Sequence, residues 1–189
     1  MAGKRKEKKL LVDFGCGPNK KEGFIGVDWY SFDGKVDIVA NIASGEVWKH
    51  FKDNSIDEAH ASHFIEHLDA QERIAFFNGL WRAMKPGAQA TIITPYWASN
   101  RAYGDPTHKW PPVCEMTYCY LSQKWRAENA PHTDAKHWPY GYDCNFEGTF
   151  GYGLHPLLAS RNPEFQQMAL NFAKEAAQDM HATLTCRKE

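Results

Sequence analysis

The feature that most constrains this chain is a series of short apolar runs that alternate with turns through its first half. Each run is rich in β-branched or other apolar side chains, which is typical of strands buried in a parallel sheet. The five runs are residues 9–14, 24–28, 36–40, 57–61 and 88–94. Together with an intervening helix, they predict an α/β fold with a doubly wound, mostly parallel sheet.

One helix is predicted between the fourth and fifth runs, and another near the C-terminal segment. Asp69 and Glu72 have the spacing of a capping box at the start of the first helix. Apolar residues then recur at helical spacing until residues 85–87, Lys-Pro-Gly, which are expected to stop the helix. A second apolar stripe predicts a helix over residues 163–178. The alternating pattern of residues 181–186 predicts a last strand beside the fifth.

Length, charge and cysteine content limit the classes of protein to consider. The 189 residues suit one domain, which we expect to span residues 9–189 behind a flexible basic tail of residues 1–8. A formal net charge of -1 provides no global field to attract nucleic acid or a membrane. Five cysteines without a C-x-x-C pair argue against a disulfide framework and a structural zinc site. With no signal peptide and no apolar stretch of ~18 residues, we expect a cytoplasmic protein.

A Gly-x-Gly sequence at residues 15–17 directly follows the first predicted strand. At the carboxyl edge of a parallel sheet, glycines let backbone N–H groups approach a ligand closely. Asp28 ends the second predicted strand, where a carboxylate can accept hydrogen bonds from both hydroxyls of a ribose. Lys20 occupies the position of the third glycine in a dinucleotide-binding loop, which disfavours NAD and FAD. Residues 15–23 are too few for a helical crossover, so we expect a shortened first connection made of a loop or one helical turn.

These segments resemble the class I S-adenosylmethionine-dependent methyltransferases, in particular a compact branch that opens with a Gly-Cys-Gly-Pro-Asn loop. The resemblance covers about half of the chain, from Leu10 to Thr94. Its matching segments are residues 12–20, 26–28, 53–57, 62–68 and 84–88. It implies a Rossmann-like fold, S-adenosyl-L-methionine as cofactor, and an enzyme that transfers a methyl group to an acceptor. One departure is Asn41, where relatives more commonly carry Asp, although an amide can also meet the adenine.

The resemblance also implies which residues hold the cofactor. Gly15 and Gly17 would pack against its methionine part. Asp28 would bind the ribose, and Trp29 would lie along the adenine. Asp13 stands where such proteins often place an acid near the cofactor's amino group. The complete set of expected cofactor-binding residues is Asp13, Gly15, Cys16, Gly17, Pro18, Asp28, Trp29, Asn41, Ile42, Ser62 and His63.

The acceptor is expected where the fourth and fifth strands end. Ser62 and His63 would border the methionine end and the methyl group. Residues 96–155 hold half of the aromatic residues and are expected to form an acceptor-side insertion. Asp105 and His108 lie in a segment that resembles the Pro-Thr-His-Lys segment of the compact branch, so these two residues and His63 are the predicted catalytic residues. The aromatic residues expected to exclude water from the site are Tyr96, Trp97, Tyr118, Trp138 and Tyr152.

Two other functions stay open. His63, Glu66 and His67 match the H-x-x-E-H pattern of a zinc protease family, so a zinc-dependent hydrolase is one alternative. The pattern starts where a strand ends, and no third ligand is evident, so we expect no bound metal. The other alternative is a non-catalytic protein that binds S-adenosylmethionine. As partners we favour a small-molecule acceptor over nucleic acid bound through the basic tail, expect no membrane, and leave a homo-oligomer open.

Overall fold

A computed structural model describes residues 9–133 and 141–188 and contains a seven-stranded mixed sheet. The strands are β1 (Leu11–Phe14), β2 (Ile25–Asp28), β3 (Ile38–Val39), β4 (Ile56–Ser62), β5 (Met84–Pro95), β6 (Phe146–Leu154) and β7 (Ala177–Cys186). Their order in the sheet is β3-β2-β1-β4-β5-β7-β6. The first five strands are parallel, whereas β7 runs antiparallel to both β5 and β6. The predicted α/β class and mostly parallel sheet are confirmed. The predicted tail, residues 1–8, lies outside the described residues.

Six helices connect the strands within the described residues. They are α1 (Ala70–Ala83), α2 (Asn100–Gly104), α3 (Glu115–Cys119), α4 (Gln123–Asn129), α5 (Pro156–Ala159) and α6 (Pro163–Phe172). Three short 3₁₀ helices accompany them, at Glu46–His50, Ile65–His67 and Pro131–Thr133. In this part of the chain, no helix combines the length and the apolar character needed to cross a membrane.

The helix α1 begins with the predicted capping box. The Asp69 carboxylate accepts a hydrogen bond from the Glu72 amide at 2.9 Å, and the Glu72 carboxylate accepts one from the Asp69 amide at 2.8 Å. The helix ends at Ala83, and the next residue, Met84, already pairs with Ile56 of β4. The strand β5 therefore starts before the predicted residues 88–94, with an irregular register where the chain passes Lys85–Gly87.

The C-terminal half differs from the prediction in two boundaries and in one additional strand. The helix α6 ends at Phe172 rather than at residue 178, because the buried Ala176 and Ala177 lead into β7. The strand β7 therefore begins four residues before the predicted residues 181–186. The strand β6 was not predicted, since it lies at the sheet edge and most of its side chains are exposed or only half-buried.

One face of the sheet forms the apolar core. The register aligns Val12, Ala59, Ala90 and Leu184 in one row across β1, β4, β5 and β7, and all four residues are buried. Next to Val12 on this face, Phe14 lies 5.6 Å from Phe76 of α1, measured between ring centroids. Edge-to-face contacts of this kind add to the energy gained by burial. The helix α1 therefore covers this face of the sheet.

The opposite face is polar. The next row across the same strands is Asp13, His60, Thr91 and Thr183, of which only Asp13 is buried. Residues 15–24, between β1 and β2, form turns and no helix, as the short connection predicted. Part of this face is covered instead by Phe24, whose ring centroid lies 6.2 Å from that of His60.

Candidate functional site at the carboxyl edge of the sheet

The glycine loop folds directly back onto the second strand. The amides of Gly15 and Cys16 both donate to the Val27 carbonyl, at 2.8 and 3.2 Å. Gly15 and Gly17 have φ angles of 66° and 52°, in the left-handed region that favours glycine. A Cβ atom on Gly15 would lie 2.4 Å from the Phe64 ring, whereas a Cβ atom on Gly17 would meet nothing within 4 Å. Gly15 is therefore fixed by packing, and the Gly17 side of the loop is open.

Asp28 is joined to this loop at the end of β2. Its Oδ2 atom accepts a 2.9 Å hydrogen bond from the Gly17 amide, and its Oδ1 atom accepts a 3.3 Å bond from the Tyr30 amide. The neighbouring Trp29 is 74% exposed. The carboxylate and the indole that the family resemblance assigns to ribose and adenine thus follow one another at this edge.

Asn41 and Ile42 follow β3 and differ in their surroundings. Asn41 is exposed, and its side-chain oxygen accepts a 3.1 Å hydrogen bond from the Ser44 amide. The side chain of Ile42 is buried in the core. Of this predicted pair, Asn41 is the one whose side chain faces solvent.

Asp13 is buried, and both of its oxygens have protein partners. One oxygen lies 2.7 Å from His60 Nδ1, and the other accepts a 2.8 Å hydrogen bond from the Lys21 amide. The carboxylate therefore ties the short connection to β1 and β4. Its proximity to a cofactor amino group stays a prediction.

Cys16 and Pro18 complete the loop. Burial, together with the nearby carboxylates of Asp13 and Asp28, raises the pKa of the Cys16 thiol to about 11. The thiol therefore stays protonated at neutral pH. Pro18 is exposed.

His63 lies directly after β4 and redirects the chain. Its φ of 51° is left-handed, and its amide donates to the Ile93 carbonyl at 2.9 Å. Its Nδ1 atom lies 3.3 Å from Glu66 Oε1, and its Nε2 atom lies 3.9 Å from Asp179 Oδ1. The contact with Glu66 raises the pKa of His63. Ser62, the last residue of β4, is half-buried beside it.

Asp105 and His108 form a turn after α2. The exposed Asp105 carboxylate accepts hydrogen bonds from the Thr107 amide and hydroxyl, at 2.8 and 2.7 Å, which lower the pKa of Asp105. The Nε2 atom of His108 lies 3.8 Å from Asp105 Oδ2. The ring of His108 also meets that of His67, with centroids 4.8 Å apart. The structure therefore brings the two predicted acceptor-side residues together with His67.

A buried arginine that sequence reasoning missed holds this arrangement. The Arg73 guanidinium of α1 donates hydrogen bonds to four backbone carbonyls, two in the segment after β4 and two in the segment after α2. The acceptors are Ile65 at 3.0 Å, Glu66 at 3.3 Å, Lys109 at 3.1 Å and Pro111 at 2.5 Å. The signal in the sequence was a charged residue one turn before Phe77, on the apolar stripe of the helix.

The predicted aromatic residues divide between core and surface. Tyr96 and Tyr118 are buried, and the Tyr96 hydroxyl donates to the Leu170 carbonyl at 2.5 Å. Trp97 is exposed, and the Tyr152 hydroxyl donates to Glu115 at 2.8 Å. Trp138 lies outside the described residues. Tyr96 and Tyr118 therefore act mainly in packing.

The residues of the zinc protease pattern do not lie on one α-helix. His63 has left-handed backbone geometry, and the 3₁₀ helix that follows contains only Ile65–His67. In the protease pattern, two imidazoles one turn apart project from one face of a helix. His63 and His67 are not presented in that way.

Comparisons with known proteins identify the fold. No family model matches the sequence, and no curated protein matches it. The structure resembles a SAM-dependent methyltransferase from Archaeoglobus fulgidus, with a TM-score of 0.62 and 24% identity over 95% of this chain and 87% of that chain. It also resembles geranyl diphosphate methyltransferase, with a TM-score of 0.52 and 15% identity over 94% of this chain and 78% of the other.

A third similar structure is the CurJ carbon methyltransferase, with a TM-score of 0.54 and 11% identity. The match covers 98% of this chain and 50% of that one, so this chain spans half the length of that relative. All three are methyltransferases, and the strand order with an antiparallel β7 is the order expected of their fold. The chain has the Rossmann-like fold of the class I S-adenosylmethionine-dependent methyltransferases.

Proposed function

We propose that this protein is an S-adenosylmethionine-dependent methyltransferase that acts on a small-molecule acceptor. The observation that carries the proposal is the joining of the open glycine loop to Asp28 at the carboxyl edge of a methyltransferase-type sheet. In open α/β folds, ligands bind at this edge.

The residues at the edge suit the cofactor. A carboxylate offers about four acceptor positions, and Asp28 uses two of them for the amides of Gly17 and Tyr30. Acceptor positions therefore remain for two ribose hydroxyls. The exposed Trp29 ring offers an apolar surface to the adenine, and the open side of Gly17 leaves space for the methionine part.

The bound cofactor supplies a methyl group activated by its attachment to a sulfonium. The role of the chain is mainly to align the acceptor and to exclude water, since positioning alone can contribute up to ~7 to 11 kcal/mol. His63, Asp105 and His108 are the polar residues proposed for the acceptor side. An imidazole there can take the proton that an acceptor hydroxyl or amine loses.

A small-molecule acceptor is supported mainly by charge. The formal net charge of -1 provides no global positive field to attract nucleic acid. One of the similar structures is named for a small substrate, geranyl diphosphate.

Calorimetric titration with S-adenosylhomocysteine tests cofactor binding. We expect the wild-type chain to bind one equivalent. Loss of two hydrogen bonds to a charged group, each worth about 1.5–3 kcal/mol, should weaken binding to Asp28→Ala by at least roughly 100-fold. Glu128→Ala, which removes an exposed carboxylate on α4, is the matched control and should bind normally. Wild-type protein that does not bind, or an unaffected Asp28→Ala, would contradict the proposal.

The acceptor class is tested by incubating the protein and methyl-labelled cofactor with a cell extract. Label in the small-molecule fraction that depends on the protein is the expected result. Label in the nucleic-acid or protein fraction would show that the proposed acceptor class is wrong.

A further inference from the structure

Contrary to the expectation from the sequence that no metal is bound, we propose that Glu66, His67 and His108 bind a divalent first-row transition-metal ion beside the acceptor. Metal binding at these side chains does not depend on whether the proposed function is correct. The role we give the ion, to hold and activate the acceptor, rests on the proposed function.

The three side chains already lie close together. Each offers one ligating atom, and these atoms all lie within 4.8 Å of one another. A tetrahedral ion with bonds of about 2.0–2.1 Å keeps its ligand atoms roughly 3.4 Å apart. Small side-chain rotations would bring all three atoms onto one ion. Among the described residues this is the only such group of three or more.

The Glu66 carboxylate is buried without a hydrogen-bond donor. The residue is only 4% exposed, and neither carboxylate oxygen has a hydrogen-bond partner. His63 Nδ1 lies 3.3 Å from Oε1, but the two groups are not aligned as a hydrogen bond. A buried carboxylate whose oxygens accept no hydrogen bond is unfavourable unless it is paired with a cation or coordinates a metal. A metal ion bound to its oxygens would remove this cost.

Hydrogen bonds prepare the His108 imidazole as a ligand. Its Nδ1 atom lies 3.3 Å from the Ala102 carbonyl. Because a carbonyl can only accept, Nδ1 is the protonated nitrogen in this contact, and Nε2 carries the lone pair. Histidines that bind metals usually donate their other ring N–H to such a partner.

The His67 imidazole is prepared in the same way through a hydroxyl. Its Nδ1 atom lies 3.0 Å from Thr107 Oγ1, and that hydroxyl donates its own proton to Asp105 at 2.7 Å. The hydroxyl oxygen is therefore left to accept from Nδ1, and Nε2 again carries the lone pair. Asp105 and Thr107 act as positioning residues behind a metal ligand.

The backbone holds the ligands in place before any ion binds. The Lys109 amide donates to the Glu66 carbonyl at 2.8 Å, and Arg73 bridges the same two segments. These contacts connect the segment that carries Glu66 and His67 to the segment that carries His108.

Three protein ligands leave a coordination position open. Catalytic zinc sites have this form, including sites with two histidines and one glutamate. An ion here can bind an acceptor oxygen and lower the pKa of a hydroxyl, as it does for bound water. The contact between His63 and Glu66 places the ion next to the end of β4, where the methyl group is expected.

Titration of metal-free protein with Co²⁺ and Zn²⁺ tests the site without an activity assay. We expect one ion per chain, with visible absorption for Co²⁺ and displacement of Co²⁺ by Zn²⁺. Mg²⁺ should compete poorly, because imidazole ligands favour transition metals. If neither Co²⁺ nor Zn²⁺ binds when one ion is added per chain, the inference is overturned.

Variants assign the ligands. Glu66→Gln, His67→Asn and His108→Asn should each weaken Co²⁺ binding at least tenfold, while His181→Asn, on the exposed part of β7, should not. Thr107 is exposed, so Thr107→Val should preserve the fold. Because His67 loses its hydrogen-bond partner, this variant should bind Co²⁺ roughly 10- to 100-fold more weakly. Wild-type affinity in Thr107→Val and in His67→Asn would overturn the assignment.

Binding of S-adenosylhomocysteine is measured on the same samples. Cofactor binding without metal binding would refute this inference and leave the proposed function standing. Metal binding without cofactor binding would support the site and refute the proposed function.

Discussion

Gly15 faces the Phe64 ring so closely that no side chain fits between them: an added Cβ would lie 2.4 Å from the ring. Gly15→Ala therefore combines steric overlap with a left-handed backbone, and should lower the free energy of unfolding by roughly 2–4 kcal/mol. Urea denaturation measures the change. Gly104→Ala, where a Cβ meets nothing within 4 Å, is the control and should be neutral or slightly stabilising. Equal stability of the two variants would show that the contact is not close.

Arg73→Met should destabilise the protein and disconnect the two segments at the acceptor side. It removes donors from four backbone carbonyls, and we expect a loss of roughly 2–4 kcal/mol in the free energy of unfolding. Arg73→Lys should restore little of the lost stability, since an ammonium cannot reproduce the planar set of donors of a guanidinium. Denaturant titration checks both variants. Arg161→Met, at an exposed position, should be neutral, and a similar loss there would argue against a specific role of Arg73.

Cys16 should resist alkylation at moderately alkaline pH. With its pKa raised to about 11, its thiolate fraction at pH 8 is roughly 200-fold below that of an ordinary cysteine of pKa ~8.5. Alkylation with iodoacetamide, followed by peptide mass analysis, should show slow labelling that accelerates as the pH approaches 11. The urea-denatured chain is the control and should react at the ordinary rate. Fast labelling of the folded protein at pH 8 would contradict the buried environment.

The Asp57–Lys85 ion pair should contribute to stability in a pH-dependent manner. The Lys85 ammonium, 2.7 Å away, is the main cause that lowers the pKa of Asp57 in the folded state, with help from the Leu10 amide. A lowered folded-state pKa gives stability that is present above the unfolded value of ~3.9 and is lost as the pH falls through the folded value.

Lys85→Met should therefore lower the free energy of unfolding at pH 7, by less than about 1 kcal/mol because the lysine is partly exposed. The difference from wild type should shrink as the pH falls below about 4. Urea denaturation at pH 7 and pH 3 checks the sign. A difference that grows at low pH would refute the linkage.

Features that depend on neighbouring residues could be predicted from the sequence. The capping box of Asp69 and Glu72 and the short connection after β1 follow from local spacing, and both are present. The strand β6 was not predicted, because three glycines interrupt the alternation of Phe146, Phe150, Tyr152 and Leu154 along it, and because its place at the sheet edge depends on pairing with β7.

The candidate site shows the same division. The loop and Asp28 follow from the pattern of a parallel sheet. The proximity of His67 and His108, by contrast, depends on Arg73, whose partners Ile65 and Pro111 lie on opposite sides of it in the chain. A contact of this kind leaves no periodic signal in the sequence.

The turns at residues 15–24 also determine which charge this edge of the sheet attracts. A helix starting here would point about half a positive charge at the ligand, which suits a pyrophosphate and repels a cation. Because no helix starts there, a dinucleotide would lose its main electrostatic anchor. A positively charged sulfonium would meet no such repulsion, so the missing helix removes a preference for phosphate groups at this edge.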